Sequence, residues 1–254
     1  MQKLTLTTIS HIPHVQPGDD LAELLLAALD KSDIRLQNGD VLAIAQKIVS
    51  KAEGRLVNLG DVAFGAEAYR VGLETRKDPR LVELILQESE AISRMKPGVL
   101  IVRHKLGFTS ANAGIDRSNV AQAAGEETVL LLPVDPDGSA ERIRRAVAER
   151  LDVAVGVVIT DSHGRPFRLG TVGIAIGVAG LPALWDRRGE DDLYGYELQH
   201  TEVAVADEIA AAAGLLMGQG AEGVPVVLLR GLHLPSQPGK AADLNRPEEK
   251  DLYR

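Results

Sequence analysis

Val153-Ala154-Val155-Gly156-Val157-Val158-Ile159-Thr160, closed by Asp161-Ser162, is the stretch on which the fold turns. An apolar run rich in Val and closed by polar residues reads as a strand buried on both faces. Upstream, Ser139 is placed to cap a helix through Arg150, with Ile143, Ala146, Val147 and Arg150 along one side. Downstream, Thr171 to Val178 is a second strand, and its glycines suggest bulges or close backbone approach. Thr201 then caps an Ala-rich helix to about Met217, and Val224 to Leu229 is a further strand.

Toward the N-terminus, Thr128 to Leu132 and Val99 to Val102 read as strands, and Asp78-Pro79 opens a helix with Leu81, Leu84 and Ile85 on its apolar face. Val41 to Val49, after the turn Asn38-Gly39-Asp40, is apolar and β-capable. Gly18-Asp19-Asp20 starts a helix bearing Leu21, Leu24, Leu25, Ala28 and Leu29, and the alternation from Leu4 to Ile9 is a first strand. Residues 235–254 are polar and read as a loop and tail. Without a regular strand–helix rhythm, the fold class expected is α+β. A weak boundary falls near Gly60 to Phe64, but composition does not establish two domains.

The chain has 254 residues, of which 45% are hydrophobic and only 3% aromatic, so its core must be built from Val, Leu, Ile and Ala. A net charge of -8 disfavours non-specific nucleic-acid binding, and Arg142, Arg144 and Arg145 read as a solvated helix face. There is no cysteine, which excludes disulfides and thiolate metal sites. Met1 to Ser10 lacks the pattern of a signal peptide, and no apolar run reaches the ~20 residues that cross a bilayer. The compartment expected is the cytoplasm, with no membrane partner.

Several segments could carry chemistry, each with a plainer alternative. Asn112-Ala113-Gly114-Ile115-Asp116-Arg117-Ser118-Asn119 offers oxygen ligands for a hard cation, or an Asx-type turn. Ile159-Thr160-Asp161-Ser162-His163-Gly164-Arg165 puts Asp161 and Ser162 at the end of the buried strand, as metal ligands or as a strand-to-turn cap, with His163 read as a turn histidine. Gln46-Lys47 and Ser50-Lys51-Ala52-Glu53-Gly54-Arg55 place lysines where they could meet phosphate or stay solvated, and no P-loop pattern is present. Met217-Gly218-Gln219-Gly220-Ala221-Glu222-Gly223-Val224 is a glycine-rich loop after a helix, open to a ligand or serving as a C-cap. His11-Ile12-Pro13-His14 reads as loop more than as a histidine metal site, and Asp186-Arg187-Arg188-Gly189 as a charged loop.

In this order, SKAEGR (50–55), NAGIDRSNV (112–120), LLLPVDPDGSA (130–140), ITDSHGRPFRLGTVG (159–173), DLYGYEL (192–198), VADEIAAAAGLLMGQ (205–219) and GVPVVLLRGL (223–232) resemble the coenzyme F420-0:L-glutamate ligase family, the gamma-glutamyl ligases of a deazaflavin hydride carrier. The resemblance covers nearly the whole chain and rests on long motifs. It implies GTP-dependent amide formation with Mg²⁺ or Mn²⁺, often helped by K⁺. L-glutamate is joined to coenzyme F420-0 or its dehydro form, some members adding further gamma-linked residues. It implies a two-domain subunit in an intertwined homodimer, with the nucleotide in a groove at the dimer interface. Over 1–254 the chain is expected to form one such unit, without the nitroreductase-like domain some relatives carry.

Carried over residue by residue, the resemblance puts metal ligands at Asp116, Asp161, Ser162 and Gln219. It puts nucleotide contacts at His11, Ile12, Pro13, His14, Gln46, Lys47, Lys51, Asn119, Met217, Gly218, Gln219, Gly220, Ala221, Glu222, Gly223 and Val224, and catalytic roles on Asp116, Asp161 and Lys51. Gln219 stands where some relatives carry an acid. Alternatives to this activity are the same ligation on another carboxylate acceptor, a non-catalytic nucleotide-binding protein and a metal-dependent phosphohydrolase.

Overall fold

A computed structural model of the chain describes residues 3–251. Met1 and Gln2, the start of the segment without a signal-peptide pattern, and the last three residues, the end of the expected tail, lie outside the described residues. The centre is a five-stranded mixed sheet in the order β1 (Thr5–Thr8), β12 (Val226–Arg230), β2 (Val41–Ala45), β8 (Gly156–Arg165) and β9 (Arg168–Ala179). Only β2 and β8 are parallel among its neighbours. The mixture of helices with a largely antiparallel sheet makes the chain α+β, as expected.

Side chains alternate across this sheet and fill two cores. On one face Leu42, Ile44, Val157, Ile159, Ile176, Val226 and Leu228 pack with α1 (Leu21–Lys31) and α5 (Pro136–Leu151). On the other, Val41, Ala43, Val158, Ala175, Val178, Val227 and Leu229 meet α6 (Val205–Met217). Each of these aliphatic side chains contributes roughly 1.5–3 kcal/mol when fully buried, so a core with few aromatics suffices.

Between α2 (Gln46–Ala52) and α5 the chain makes a long excursion. It contains β3 (Leu56–Asn58) paired with β7 (Thr128–Leu130), α3 (Ala66–Thr75), α4 (Pro79–Gln87), and a sheet of β4 (Ser89–Lys96), β5 (Val99–His104) and β6 (Thr109–Ala111). Ala68, Val71, Val82, Ile85, Leu100, Val102 and Ala113 form its own apolar cluster. A last small pair, β10 (Trp185–Asp186) with β11 (Glu202–Val203), precedes α6.

Close approach explains the glycines of β9. A Cβ at Gly173 would lie 2.4 Å from the carbonyl oxygen of Ala210 in α6, and one at Gly177 would lie 2.5 Å from that of Pro136 in α5. The free edge of β9 is covered by two first-turn aspartates. Ala175 N–H donates to Asp207 (2.8 Å) and Val178 N–H to Asp137 (2.7 Å), each an edge amide satisfied by a helix start.

Several expected boundaries move. The helix expected from Ser139 begins at Pro136, capped by Asp135, whose side chain accepts from Gly138 N–H. Pro at the first helical position, as at Asp78-Pro79, is the stronger start, and the Ser139 hydroxyl is used on Glu53. Thr201 does not cap the Ala-rich helix, because Glu202 and Val203 are first drawn into the pair with Trp185 and Asp186. Val41 to Val49 is not one strand: it turns helical at Gln46, a switch that a short apolar run does not reveal. The strand read from Val153 starts at Gly156 and continues through Asp161 to Arg165 as the first arm of a hairpin. α3 and β4 had no counterpart in the pattern.

Candidate functional site

The parallel pairing of β2 and β8 sets the site. Ala45 lies opposite Thr160, so Gln46, opening α2, and Asp161, the next residue of β8, both follow the point where the parallel pairing stops, at the carboxyl end of β2. That end of a parallel pair is where α/β sheets commonly hold ligands.

Asp116 arrives from the excursion. Its backbone bridges Leu130, N–H to carbonyl in both directions at 2.9 Å, on the edge of β7 opposite β3. Its carboxylate reaches back to α2. Gln46 Nε2 donates to Asp116 Oδ2 at 2.7 Å, and the Lys47 ammonium pairs with the same oxygen. Gln46 is itself buried and fixed, its Oε1 accepting from Ser50 Oγ at 2.8 Å. Burial pushes the Asp116 carboxyl upward, the Lys47 charge opposes this, and the charge of Asp161 pushes it up again. The two aspartates, far apart in sequence, therefore share one electrostatic neighbourhood.

The turn that delivers Asp116 is left-handed. Asn112, Ala113 and Gly114 have φ of 52°, 54° and 66°. For an L-residue this region costs roughly 1–2 kcal/mol. Packing holds it: Ala113 is fully buried, and a Cβ on Gly114 would come within 2.8 Å of a Leu132 methyl. Strain of this kind tends to gather at functional sites.

A second chain of contacts joins three of the expected nucleotide segments. Lys51 Nζ donates to the Asn119 carbonyl at 2.7 Å, and Asn119 Nδ2 donates to the Gly220 carbonyl at 3.0 Å. Burial and the nearby Lys47 charge lower the Lys51 ammonium from its ordinary value. In the glycine loop, Met217 ends α6, Gly218 caps it at φ 71°, and Glu222 accepts from Gly220 N–H at 2.7 Å. Gln219, Ala221, Glu222 and Gly223 are exposed, and Val224 returns to the sheet, where Ala45 N–H donates to Pro225 at 2.8 Å. His11, Pro13 and His14 are exposed on the loop before α1, His11 at φ 65°, while Ile12 packs into the core beside Ile48 of α2.

Asp161 has a partner that the sequence pattern missed. His163, read as a turn residue, lies within β8, is 8% exposed and bonds Asp161 Oδ2 through Nε2 at 2.9 Å. The signal was the spacing: residues two apart in a strand share a face. By the same rule Ser162 points to the opposite face, and it is exposed, so its hydroxyl is not brought to the Asp116–Asp161 pair. Gln219 likewise stays on its exposed loop. Among the described residues no three His, Asp or Glu side chains gather into a metal cluster. The donor set still fits a hard divalent cation: two neighbouring carboxylates, one destabilised by burial, in a chain without thiolates. The Lys47 ammonium supplies the counter-charge at Asp116.

The remaining charged segments pair mostly locally, apart from Arg142 with Glu53 and Arg188 with Glu202. Arg188 pairs with Asp186 and Arg187 with Glu190 inside their own turn. Arg144 and Arg145 pair with Glu141 along α5. No helix among the described residues is long and apolar enough to cross a membrane.

Comparison with known proteins points in one direction. The family model for F420-0:gamma-glutamyl ligase matches residues 10–231. The chain is 47% identical over 254 residues to the coenzyme F420:L-glutamate ligase of Methanothermobacter thermautotrophicus, covering 99% of each chain. It is 48% identical to the protein so named from Methanopyrus kandleri over 94% of this chain and 93% of that one. To that of Archaeoglobus fulgidus it is 44% identical over 97% and 94%.

Proposed function

The chain belongs to the F420-0:gamma-glutamyl ligase family, and on that premise we propose that it is an acid–amino-acid ligase joining L-glutamate to coenzyme F420-0, driven by GTP. The observation that carries the nucleotide reading is the joining of three segments: Lys47 of α2 pairs with Asp116, Lys51 of α2 bonds the Asn119 carbonyl, and Asn119 bonds the Gly220 carbonyl. Two lysines near two carboxylates suit a triphosphate and the cation that accompanies it.

Asp116 and Asp161 are the residues that would hold Mg²⁺ or Mn²⁺. That cation would withdraw charge from the phosphate oxygens. Lys51 places a fixed positive charge beside the phosphates, and the Asn119–Gly220 contact brings the exposed glycine loop alongside it. The acceptor carboxylate attacks the terminal phosphorus, GDP leaves, and an acyl phosphate forms. The uncharged glutamate amine then attacks the acyl carbon, phosphate departs, and the amine proton passes to solvent. Positioning and electrostatics carry the rate without a covalent enzyme nucleophile. The reading extends to K⁺ as an activator and to a two-domain subunit paired as a homodimer, which light scattering measures directly.

The deciding experiment is mass spectrometry of F420-0 incubated with the chain, GTP, Mn²⁺ and glutamate. A product heavier by one glutamyl residue, with GDP formed only when the acceptor is present, is expected. GDP formed without acceptor would instead mark a phosphohydrolase, and nucleotide binding without turnover a binding protein.

A further inference from the structure

Behind Asp161 lies a stack of rings that the reaction scheme does not use. His163 presents its ring to Phe108 edge-on, centroids 5.0 Å apart at 70°. Phe108 in turn lies flat on His104 at 5.2 Å and 9°. His104 is 3% exposed, and its Nδ1 accepts from Leu106 N–H at 3.0 Å, so its hydrogen sits on Nε2. That Nε2 has no hydrogen-bond partner among the described residues and stands 3.9 Å from Glu88 Oε2. Glu88 is held by Arg55 at 2.6 Å, and Arg55 also donates to the Leu132 carbonyl. A continuous set of packed groups thus runs from Arg55 through Glu88, His104 and Phe108 to His163.

A carboxylate oxygen only accepts, so in the contact with Asp161 Oδ2 the hydrogen belongs to His163 Nε2. The ring cannot turn away freely while Phe108 abuts it, and both partners are about nine-tenths buried. A carboxylate fixed at one oxygen presents the other in a defined direction, and outer partners of this kind orient metal-binding side chains.

We propose that His163 is a positioning residue for Asp161. Its Nε2–H holds Oδ2, the Phe108–His104 stack holds the imidazole, and Oδ1 is left to meet the cation. The inference rests on the metal-binding reading of Asp161, and it concerns the hydrogen bond and not the volume of the ring.

Two substitutions separate those properties. His163→Phe keeps an aromatic ring against Phe108 and removes the donor, whereas His163→Gln keeps an N–H near the place of Nε2 and removes the ring. The full-length chain and both variants are titrated with Mn²⁺ alone, free ion being read by electron paramagnetic resonance and folding by thermal melting. His163→Phe is expected to weaken Mn²⁺ binding by about 10–100-fold, with His163→Gln within about 3-fold of the parent. Parent-like binding by His163→Phe would overturn the positioning role and leave the metal reading standing. Equal losses in the two variants would also overturn it, assigning the effect to packing. No Mn²⁺ binding by the parent chain would overturn the metal reading and the inference together.

Discussion

Asp161 and Asp116 are both partly buried carboxylates in one electrostatic neighbourhood, yet they are held in opposite ways. Asp161 grows out of a hydrogen-bonded strand and takes its orientation from a histidine two residues on. Asp116 sits beyond a left-handed turn and takes its place from Gln46 and Lys47, which belong to another element. The first is positioned by local strand geometry within a rigid sheet. The second is positioned by side chains and by the packing of Ala113 and Gly114. One half of the site can therefore be damaged by touching the turn alone, while the other requires damage to the sheet or to the imidazole.

The largest effect should come from the carboxylates themselves. Asp161→Asn should cut glutamate-dependent GDP release by about 100-fold or more, since it removes charge where phosphate charge is managed. Its melting temperature should stay near that of the parent, and a well-folded variant with near-parent turnover would break the pairing with Asp116. Next comes Gly114→Ala, which combines a φ of 66° with a Cβ only 2.8 Å from Leu132. It should destabilise the chain by about 1–3 kcal/mol in urea unfolding and displace Asp116. Gly173→Ala, on the sheet side, meets the backbone of α6 at 2.4 Å and should cost a similar amount in stability. The comparison predicts that the Gly114 variant also loses turnover beyond its loss of folded protein.

Lys51→Ala should mainly raise the Michaelis constant for GTP, by about 10-fold, because one partly exposed positive charge is lost beside the phosphates. An unchanged constant and rate would remove Lys51 from the site. The smallest effect lies outside both regions. The hydrogen bonds and charges of Arg144 and Arg145 hold the Glu141 carboxyl at about 2, below its ordinary value of 4.5. A depressed folded value means that this stabilisation is complete above the unfolded value and disappears as pH falls through the folded one. Parent and Glu141→Gln should thus differ by about 1 kcal/mol or less at neutral pH, after allowing for solvent screening, and converge as the pH falls from about 4.5 toward about 2.

Much of the scaffold was legible in the chain. The apolar runs within Val41–Val49, Val153–Thr160 and Val224–Leu229 announced central strands, though with ends that the structure moves, because burial on both faces favours unbroken aliphatic stretches. Asp20 and Asp78 announced helix starts because a carboxylate there answers free amide groups. The glycines at 173 and 177 signalled close approach, though not which helices would approach. Gln46 was harder, since Val41 to Val49 is compatible with either periodicity until its neighbours are known.

By itself the sequence determined local matters: an aliphatic core, the absence of thiolate chemistry, the central strands, and the motifs that mark the family. Only the tertiary structure decided that Ala45 lies beside Thr160, that Asp116 returns to Lys47, that Lys51 meets Asn119, and that His163 belongs to Asp161 and not to a turn. Periodicity and capping act between residues a few positions apart, so they are written in short stretches of chain. The meeting of carboxylates from distant segments depends on strand register and on which way a long excursion folds back, and these are settled by packing of the whole core.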